Sequence, residues 1–377
     1  RVMKYFLIAI SLVAGLTAAT VFVGCDSGSG DGSSNNWLKD QSYYMVYALK
    51  AGPSDDEIVI GSKEGLTVTN LSQGVLTPHF NYSNNTSPSI AHWQVRSVAV
   101  GEGGQWIAVG TNGGLSVCLR KSDGAMGGCS SYTMDTNPAL PRNNVKAVAL
   151  IDNTVIAGIY HKGVLIGDIS GAGGQIVSFK LYDLDSTPAI LDKSVSSLAV
   201  NDDGNVVLIG TKGGGIGVGH FNSTTKSFDS ISNIVRPQIL HDFVEDIAIH
   251  KASGLVAIAT RGGVNIGRLD NGALMILNSY DEDTLPFKQF SKAAINNGGT
   301  KIALGAFSNG LVVADIDLTG ALSNIAVYST ETSPALPDNR VLSLLFSEDD
   351  TALLIGSQSS KADSISVLSL LKEDDNV

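Results

Sequence analysis

Basic side chains in glycine-rich turns are the groups of this 377-residue chain whose types and spacing best suit chemistry. The candidates are Lys63, His161, Lys162, Lys212 and Arg261 in such turns, with Arg96, Lys146 and His241 at the starts of nearby segments. Ammonium and guanidinium groups hold carboxylates and phosphates through charge-assisted hydrogen bonds. We therefore predict a pocket for an anionic or polyhydroxylated ligand. The alternative is that these cations are simply solvated, because turns tolerate any polar residue.

Signals for catalysis and metal binding are weak. The six histidines form no His-x-x-x-His pair of the kind that ligates zinc. Three Asp-x-Asp pairs lack the central Gly and distal Glu of a calcium loop, namely Asp183–Asp185, Asp281–Asp283 and Asp315–Asp317. His241 beside Asp242 is the one pair suited to general-base catalysis. We predict no catalytic residue, no metal and no cofactor.

Composition narrows the fold class and the partners. The chain has 42 Gly, 43% apolar and only 16% charged residues, with a net charge of −11. Disordered chains need low hydrophobicity, and collagen needs Gly at every third position. So many glycines are expected in turns that join many short strands. The negative charge argues against nucleic acid as a partner, since binding to phosphate backbones needs cations.

The amino end resembles a secretory signal. A basic head over Arg1–Lys4 precedes an apolar run over Tyr5–Gly24, and the run ends at Cys25. Gly24-Cys25 resembles the lipobox of bacterial lipoproteins, in which the Cys is lipidated and becomes the mature first residue. The resemblance implies a signal peptide over 1–24, lipid on Cys25, a flexible tether over 25–35 and attachment to a membrane. The expected location is the bacterial cell envelope, periplasmic or at the cell surface. The alternative is an uncleaved membrane anchor.

The two other cysteines suit a disulfide. Cys118 and Cys129 flank a short segment rich in Gly and polar residues, which is the composition of a hairpin connection. A disulfide between them would persist outside the cytoplasm. Two reduced cysteines on paired strands are the alternative. We predict the disulfide.

Two ladders of landmarks repeat with a period near 50 residues. Six prolines are separated by 48 to 50 residues: Pro88, Pro138, Pro188, Pro237, Pro286 and Pro334. Seven residues after them stand Val95, Val145, Val195, Val244, Ala293 and Val341. A second ladder places Gly or Ala after apolar residues, at Gly61, Gly110, Gly158, Gly210, Ala259, Gly305 and Gly356. Such a period is typical of propellers and solenoids.

Each repeat contains four short apolar segments separated by turn residues, as in 95–101, 105–111, 114–121 and 129–135. These segments predict antiparallel strands, and helical periodicity is absent. We predict an all-β, seven-bladed β-propeller of four-stranded antiparallel blades over residues 36–377. The last unit runs out after a third strand at 364–371, so pairing of the two chain ends should close the ring. Trp37–Asp40 or its neighbours are the favoured closing segment, and Lys372–Val377 is the alternative.

The repeats resemble two-component-regulator propeller repeats. Pro138–Val148 and Pro334–Leu344 resemble the start of such a repeat, and Gly104–Leu115 and Gly204–Gly214 resemble its Gly-Thr-x-Gly-Gly-Leu turn. The resemblance covers residues 43–371 and implies extracellular ligand sensing, often of glycans. It departs in the second strands, where only Trp106 keeps the usual aromatic residue.

Taken together, these patterns predict an extracytoplasmic, lipid-anchored propeller that binds a ligand or partner protein as a sensor head or adaptor. The proline loops and the glycine-rich turns should share one face of the ring, because strand order places both there. Loops on a rigid scaffold are where binding usually resides. Two alternatives remain open, a propeller enzyme acting on a glycan or similar polar substrate, and an assembly scaffold.

Overall fold

The computed structural model describes residues 20–21, 45–54, 56–72, 75–171, 173–358 and 364–370. These residues form seven four-stranded antiparallel sheets, and the inner strand of each sheet contacts the inner strands of both neighbouring sheets. The sheets therefore close into a ring of seven blades around a central channel. The all-β, seven-bladed β-propeller predicted from the repeats is confirmed.

In blades 1 to 6 the four strands run outward from the channel in chain order, whereas blade 7 takes its outermost strand from the amino end. Blade 1 comprises Val46–Ala51, Glu57–Ser62, Leu66–Ser72 and Val75–Tyr82, and blade 2 comprises Val95–Val100, Trp106–Thr111, Leu115–Arg120 and Met126–Tyr132. Blade 3 comprises Val145–Ile151, Thr154–Ile159, Gly163–Ile169 and Ile176–Tyr182. Blade 4 comprises Val195–Val200, Val206–Thr211, Ile216–Asn222 and Ser227–Ile234. Blades 5 and 6 comprise Val244–Ile249, Leu255–Thr260, Gly263–Asp270 and Ala273–Tyr280; and Phe290–Ile295, Lys301–Ala306, Leu311–Ile316 and Leu322–Tyr328. Blade 7 comprises Val341–Phe346, Ala352–Ser357, Ile365–Ser369 and, outermost, Thr20–Val21. A 3₁₀ turn at Glu102–Gly104 is the one helical element of the described residues.

The two sequence ladders meet at the blade interfaces. The Val that begins an inner strand packs on the second-strand Gly of the preceding blade, so a Cβ on Gly158 would lie 2.5 Å from Cγ1 of Val195. The same contact closes the ring, where a Cβ on Gly356 would lie 2.8 Å from Cγ1 of Val46. Close packing thus requires Gly at these positions. Seven hydrophobic clusters, one at each interface, form the core.

Blade 6 departs from the predicted ladder. Its inner strand begins at Phe290, which pairs with Ala306 as Val341 pairs with Ser357 in blade 7. The landmark Ala293 therefore lies inside the strand and not at its start. The loop after Pro286 is shorter than the other proline loops, so counting seven residues from the proline overshoots.

Loops between blades and turns between second and third strands share one face, named here the upper face. Backbone hydrogen bonds tie the two together, since Lys212 N–H donates to Ser194 O over 2.9 Å and Arg261 N–H donates to Phe243 O over 3.2 Å. Their turn glycines have positive φ, as at Gly163 with 104°. The remaining turns lie on the opposite, lower face.

The interblade loops share one hydrogen-bonded motif. In three of them a Thr hydroxyl donates to the carbonyl of the following Pro over 2.8 Å, for example Thr136 to Pro138. Asp183 begins the loop after blade 3 and accepts from Asp185 N–H and the Ser186 hydroxyl. These bonds lower the pKa of the Asp183 carboxyl below its usual value. The acidic loop pairs therefore stabilise loops, as expected for capping side chains.

Tyrosines join the outer strands of neighbouring blades. The hydroxyl of Tyr82 accepts from Met126 N–H over 2.8 Å, and that of Tyr182 accepts from Phe228 N–H over 2.9 Å. Tyr132 and Tyr280 make the equivalent contacts to Ile176 and Leu322. Burial raises the pKa of Tyr82 and Tyr132, which keeps both phenols protonated. Each tyrosine thereby satisfies a backbone donor at an interface.

The predicted disulfide between Cys118 and Cys129 is present, with a Cα–Cα distance of 4.0 Å. Its setting differs from the sequence interpretation. The two cysteines are cross-strand partners within the third and fourth strands of blade 2, and the turn itself lies beyond them. The outer strand begins at Met126 and not at Cys129 as predicted, because it extends to meet Tyr82.

The ring closes through pairing of the two chain ends, as predicted. Thr20 and Val21 pair antiparallel with Leu368 and Val367 as the outer strand of blade 7. Both residues precede Trp37–Asp40, and both belong to the predicted signal peptide. Cleavage before Cys25 would therefore leave this outer position open to a later segment.

Several sequence predictions lie outside the described residues. These are the lipidation site Cys25, the tether over 25–35, and the alternative closing segments Trp37–Asp40 and Lys372–Val377. In the part of the chain that the structure describes, no helix is both long and apolar enough to cross a membrane.

Candidate functional site

The upper face carries the predicted site residues. Lys63, His161, Lys162, Lys212 and Arg261 lie in turns between second and third strands, while Arg96 and Lys146 are the second residues of their inner strands. A β-bulge follows the first residue of every inner strand. Bulges re-aim side chains. The bulged residues are Tyr47, Arg96, Lys146, Ser196, Glu245, Ser291 and Leu342.

Arg96 is held in place by an aromatic ring and an amide. Its guanidinium carbon lies 4.2 Å from the ring centroid of Tyr47, a cation–π distance. Its Nε donates to Oδ1 of Asn112 over 2.9 Å, and Asn112 in turn donates to Gln94. The terminal guanidinium nitrogens make no ion pair with the described residues, so they remain available to a ligand.

Lys146 is the second cation at the upper mouth of the channel, next to Arg96. Its Nζ lies 5.3 Å from the ring centroid of Tyr160, and the guanidinium of Arg142 lies 5.2 Å from the same ring. Burial, together with the charges of Arg96 and Lys212, lowers the pKa of Lys146 to about 8. Of these three cations only Lys212 has a carboxylate partner, Glu245, whereas Lys146 and Arg96 make no ion pair with the described residues. An anion at this point would relieve that repulsion.

The other half of the upper mouth is neutralised. Glu245, nearly buried, has carboxylate oxygens 3.2 Å from Nζ of Lys212 and 2.9 Å from Nε of Arg261. Arg261 also lies over Phe243, with 4.8 Å between its guanidinium carbon and the ring centroid. These two predicted ligand residues are thus engaged within the protein. The geometry favours the blade 1–3 half as the binding region.

Of the remaining predicted site residues, the two histidines are hydrogen-bonded within the protein, and the two lysines make no ion pair with the described residues. Nδ1 of His161 is 2.7 Å from the Ser194 hydroxyl, and Nδ1 of His241 accepts from Phe243 N–H over 2.9 Å. His161 is therefore bound to the neighbouring interblade loop and His241 to its own loop, and Asp242 accepts from Arg236 N–H instead of orienting His241. Lys63 and Lys162 make no ion pair with any described residue, and Lys162 is exposed.

Sequence reasoning missed Tyr47, Tyr160 and Glu245. Glu245 stands eight residues after Pro237, the same register that identified Arg96 and Lys146. Tyr47 occupies this register in blade 1, which has no preceding repeat proline to mark it. Applying the proline register to all residue types would have found Glu245, but not Tyr47. Tyr160 directly precedes His161, but only the fold brings its ring to Lys146.

The central channel encloses about 690 Å³ and is lined by the inner strands of all seven blades. Serines bridge the inner strands of adjacent blades. The Ser97 hydroxyl accepts from Val148 N–H over 3.1 Å, and the Ser343 hydroxyl donates to Val46 O over 3.0 Å. These bonds hold the channel wall rigid. A ligand at the upper mouth would therefore meet a preformed site.

At the lower mouth an ion pair crosses the channel. Nζ of Lys251 in blade 5 lies 2.6 Å from Oε1 of Glu102 in blade 2, and 3.8 Å from Oδ1 of Asp202 in blade 4. The described residues include no group of three or more His, Cys, Asp or Glu side chains placed to hold a metal ion.

Comparisons with known proteins extend to the fold alone. No protein-family model matches the chain, and no curated protein sequence matches it. Among solved structures, the chain is similar to the β-propeller domain of Cps50 (Swd1) from Myceliophteria thermophila, with a TM-score of 0.65 and 11% identity. The similarity covers 87% of this chain and 97% of that one. At this identity the likeness supports a β-propeller and carries no function.

Proposed function

We propose that this protein is a lipid-anchored propeller outside the cytoplasm that binds an anionic or polyhydroxylated ligand at its upper face. The observation that carries the proposal is the pairing of Arg96 with Tyr47 and of Lys146 with Tyr160 at the channel mouth. Both cations lack a carboxylate partner among the described residues, although the chain is acidic overall. Protein cations without partners are positioned for an external anion.

The mixture of groups suggests acidic glycans as the ligand class. Aromatic rings pack on the apolar faces of sugar rings, whereas Arg and Lys hold carboxylates. Asn112 and Gln94 add amide groups beside Arg96 that can bond hydroxyls. The resemblance to two-component-regulator repeats supports the same ligand class and the role of a sensor head or adaptor.

Support for the location comes from the disulfide in blade 2 and from the lipobox-like sequence at the end of the leader. The Cys118–Cys129 disulfide is expected to persist outside the cytoplasm. The lipobox-like Gly24-Cys25 provides the anchor. Detection of lipid on Cys25 by mass spectrometry of the mature protein tests this part, and an unmodified Cys25 contradicts it.

The two alternatives fit the geometry less well. An enzyme needs paired acid and base groups free to act, whereas His161 and His241 are each bound within loops. A scaffold needs a large apolar patch. The exposed apolar side chains Val177, Leu184 and Leu191 around blade 3 are the feature that a scaffold would use, so the scaffold is the second candidate. Ligand binding is the stronger proposal because Arg96 and Lys146 make no ion pair with the described residues.

The test is calorimetric titration of the whole mature protein with oligogalacturonate, and with a neutral glucose oligomer for comparison. We expect the acidic oligomer to bind more tightly. The double variant Arg96→Gln/Lys146→Gln should weaken its binding by about tenfold or more, the loss of at least one charge-assisted hydrogen bond. The matched control Lys121→Gln/Lys226→Gln removes two charges from lower-face turns and should bind normally. Equal losses in both double variants would contradict the proposal.

A further inference from the structure

A single lysine interrupts a ring of small residues in the channel. The fifth residue of the inner strand is Ala in five blades, Ala99, Ala149, Ala199, Ala248 and Ala294, and Leu345 in blade 7. In blade 1 it is Lys50. All seven residues line the channel. The small alanines leave room for the long Lys50 side chain. Among the seven residues at this strand position, Lys50 is the only one that is charged.

Of the three charged groups that act on the Lys50 ammonium, two are positive and one is negative. Asp246, Lys292 and Lys251 are near enough for their charges to act on its ammonium. Enclosure by the channel wall is the main cause that lowers the pKa of Lys50, and the two lysines lower it further against the opposing effect of Asp246. Lys50 makes no ion pair or hydrogen bond with any residue that the structure describes.

The one nearby carboxylate is already engaged. Oδ1 of Asp246 accepts from the Ser197 hydroxyl over 3.0 Å, and Oδ2 accepts from Ala293 N–H over 3.3 Å. Nζ of Lys292 is 3.8 Å from Oδ2 of the same group. Asp246 thus takes the interblade position that Ser97 and Ser343 hold elsewhere in the ring. Asp246 therefore lies near Lys292 alone, with its oxygens also bonded to other groups, and it makes no ion pair with Lys50.

The mouths of the channel differ in charge. At the lower mouth the Lys251–Glu102 ion pair spans the opening, and Asp202 and Asp203 lie on its rim. At the upper mouth stand Arg96 and Lys146. An anion would therefore enter from the upper face and be stopped by the ion pair below.

We infer that the lower half of the channel is a second binding site, distinct from the upper mouth, for a small oxyanion of carboxylate or phosphate type held by the ammonium groups of Lys50 and Lys292. The bound oxyanion supplies a counter-charge to Lys50 and Lys292 and accepts charge-assisted hydrogen bonds from their ammonium groups. The site stands on channel residues only and does not require a glycan at the upper face.

The test uses the full mature chain and two probes, inorganic phosphate and free glucuronate, each followed by calorimetry. We expect at least one probe to bind, and Lys50→Met to weaken it by about tenfold or more. Lys121→Met, on the lower face outside the channel, serves as the matched control and should bind as the wild type does. Melting temperatures establish that each variant is folded.

The double variant Arg96→Gln/Lys146→Gln separates the two sites. Retained probe binding in this variant, together with loss in Lys50→Met, supports the channel site and identifies phosphate or carboxylate as its ligand. Equal probe affinity in Lys50→Met and wild type overturns the inference. Loss only in the Arg96/Lys146 double variant also overturns it, while leaving the upper-face proposal intact.

Discussion

Arg261 donates a hydrogen bond of 2.9 Å from Nε to the carboxylate of Glu245. Glu245, the bulged residue of the inner strand of blade 5, thus neutralises the charge of Arg261 in a turn of the same blade. Lys212 of the preceding blade shares the same carboxylate. No such carboxylate accompanies Arg96 or Lys146 in the described residues. The upper mouth therefore has a neutralised half in blades 4 and 5 and a cationic half in blades 2 and 3.

Removal of the Glu245 charge should strengthen anion binding. In Glu245→Gln the cations Lys212 and Arg261 lose their neutralising partner. The binding free energy of oligogalacturonate should then improve by roughly 1 kcal/mol, since the charges are partly screened by solvent, and the affinity should rise about fivefold. Calorimetric titration measures the change. Glu348→Gln, on the lower face, removes the same charge at a distance and should leave affinity unchanged. Unchanged affinity in Glu245→Gln would contradict a binding site at the upper mouth.

Anion affinity should depend on pH through Lys146. Its pKa of about 8 means that the ammonium is charged below that pH and neutral above it. Affinity for the acidic oligomer should therefore fall as pH rises through about 8. Lys146→Arg keeps the charge over the whole range, because guanidinium does not titrate there, and should abolish the fall. Titrations from about pH 7 to about pH 9.5 at fixed ionic strength test this, and identical slopes in both proteins would refute it.

The disulfide should contribute measurably to stability. Cys118 and Cys129 are separated by 11 residues, and closing a loop of this length restricts the unfolded chain by about 3 kcal/mol. Cys118→Ala/Cys129→Ala should lower the free energy of unfolding by that order, as measured by urea denaturation. A double variant as stable as the wild type would show that the cross-link constrains nothing.

Loss of one interface hydroxyl should weaken the ring. In Tyr182→Phe the buried N–H of Phe228 loses its acceptor, which should lower the free energy of unfolding by about 1 to 3 kcal/mol. Tyr160→Phe removes a hydroxyl from the upper mouth, where it makes no hydrogen bond with the described residues, and should change stability little. Denaturation curves of the two variants decide the matter, since equal losses would deny the interface bond its role.

Closure of blade 7 should depend on an amino-terminal strand. Thr20–Val21 fills the outer position, but cleavage before Cys25 would remove it. In the mature chain we expect Trp37–Asp40 or its neighbours to pair with Ile365–Ser369. Deletion of residues 34–42 from the mature chain should then lower the melting temperature sharply. A melting temperature unaffected by the deletion would assign the closing strand elsewhere.

Much of the fold was predictable because its two ladders are physically coupled. Val195 recurs with the proline period and Gly158 with the second ladder, since each Val packs where the preceding blade has no side chain. A repeat that buries the same contact at successive interfaces recurs with the same residue types, and the exception is the interface of blades 5 and 6, where Ala259 and Phe290 take these positions. Counting seven residues from the proline did not find Phe290, the first inner-strand residue of blade 6, because the length of the loop between the two landmarks is free to vary.

The sequence by itself determined the strand count, the blade count, the disulfide pair and the face on which the turn cations lie. Only the tertiary structure decided which of those cations are neutralised, because Glu245, Lys212 and Arg261 come from separate parts of two blades and meet through the curvature of the ring. The channel cluster around Lys50 was equally hidden, since Asp246 and Lys292 lie four and five blades further along the chain. Linear spacing specifies contacts within a repeat, whereas contacts across a closed ring depend on how all seven repeats are arranged in space.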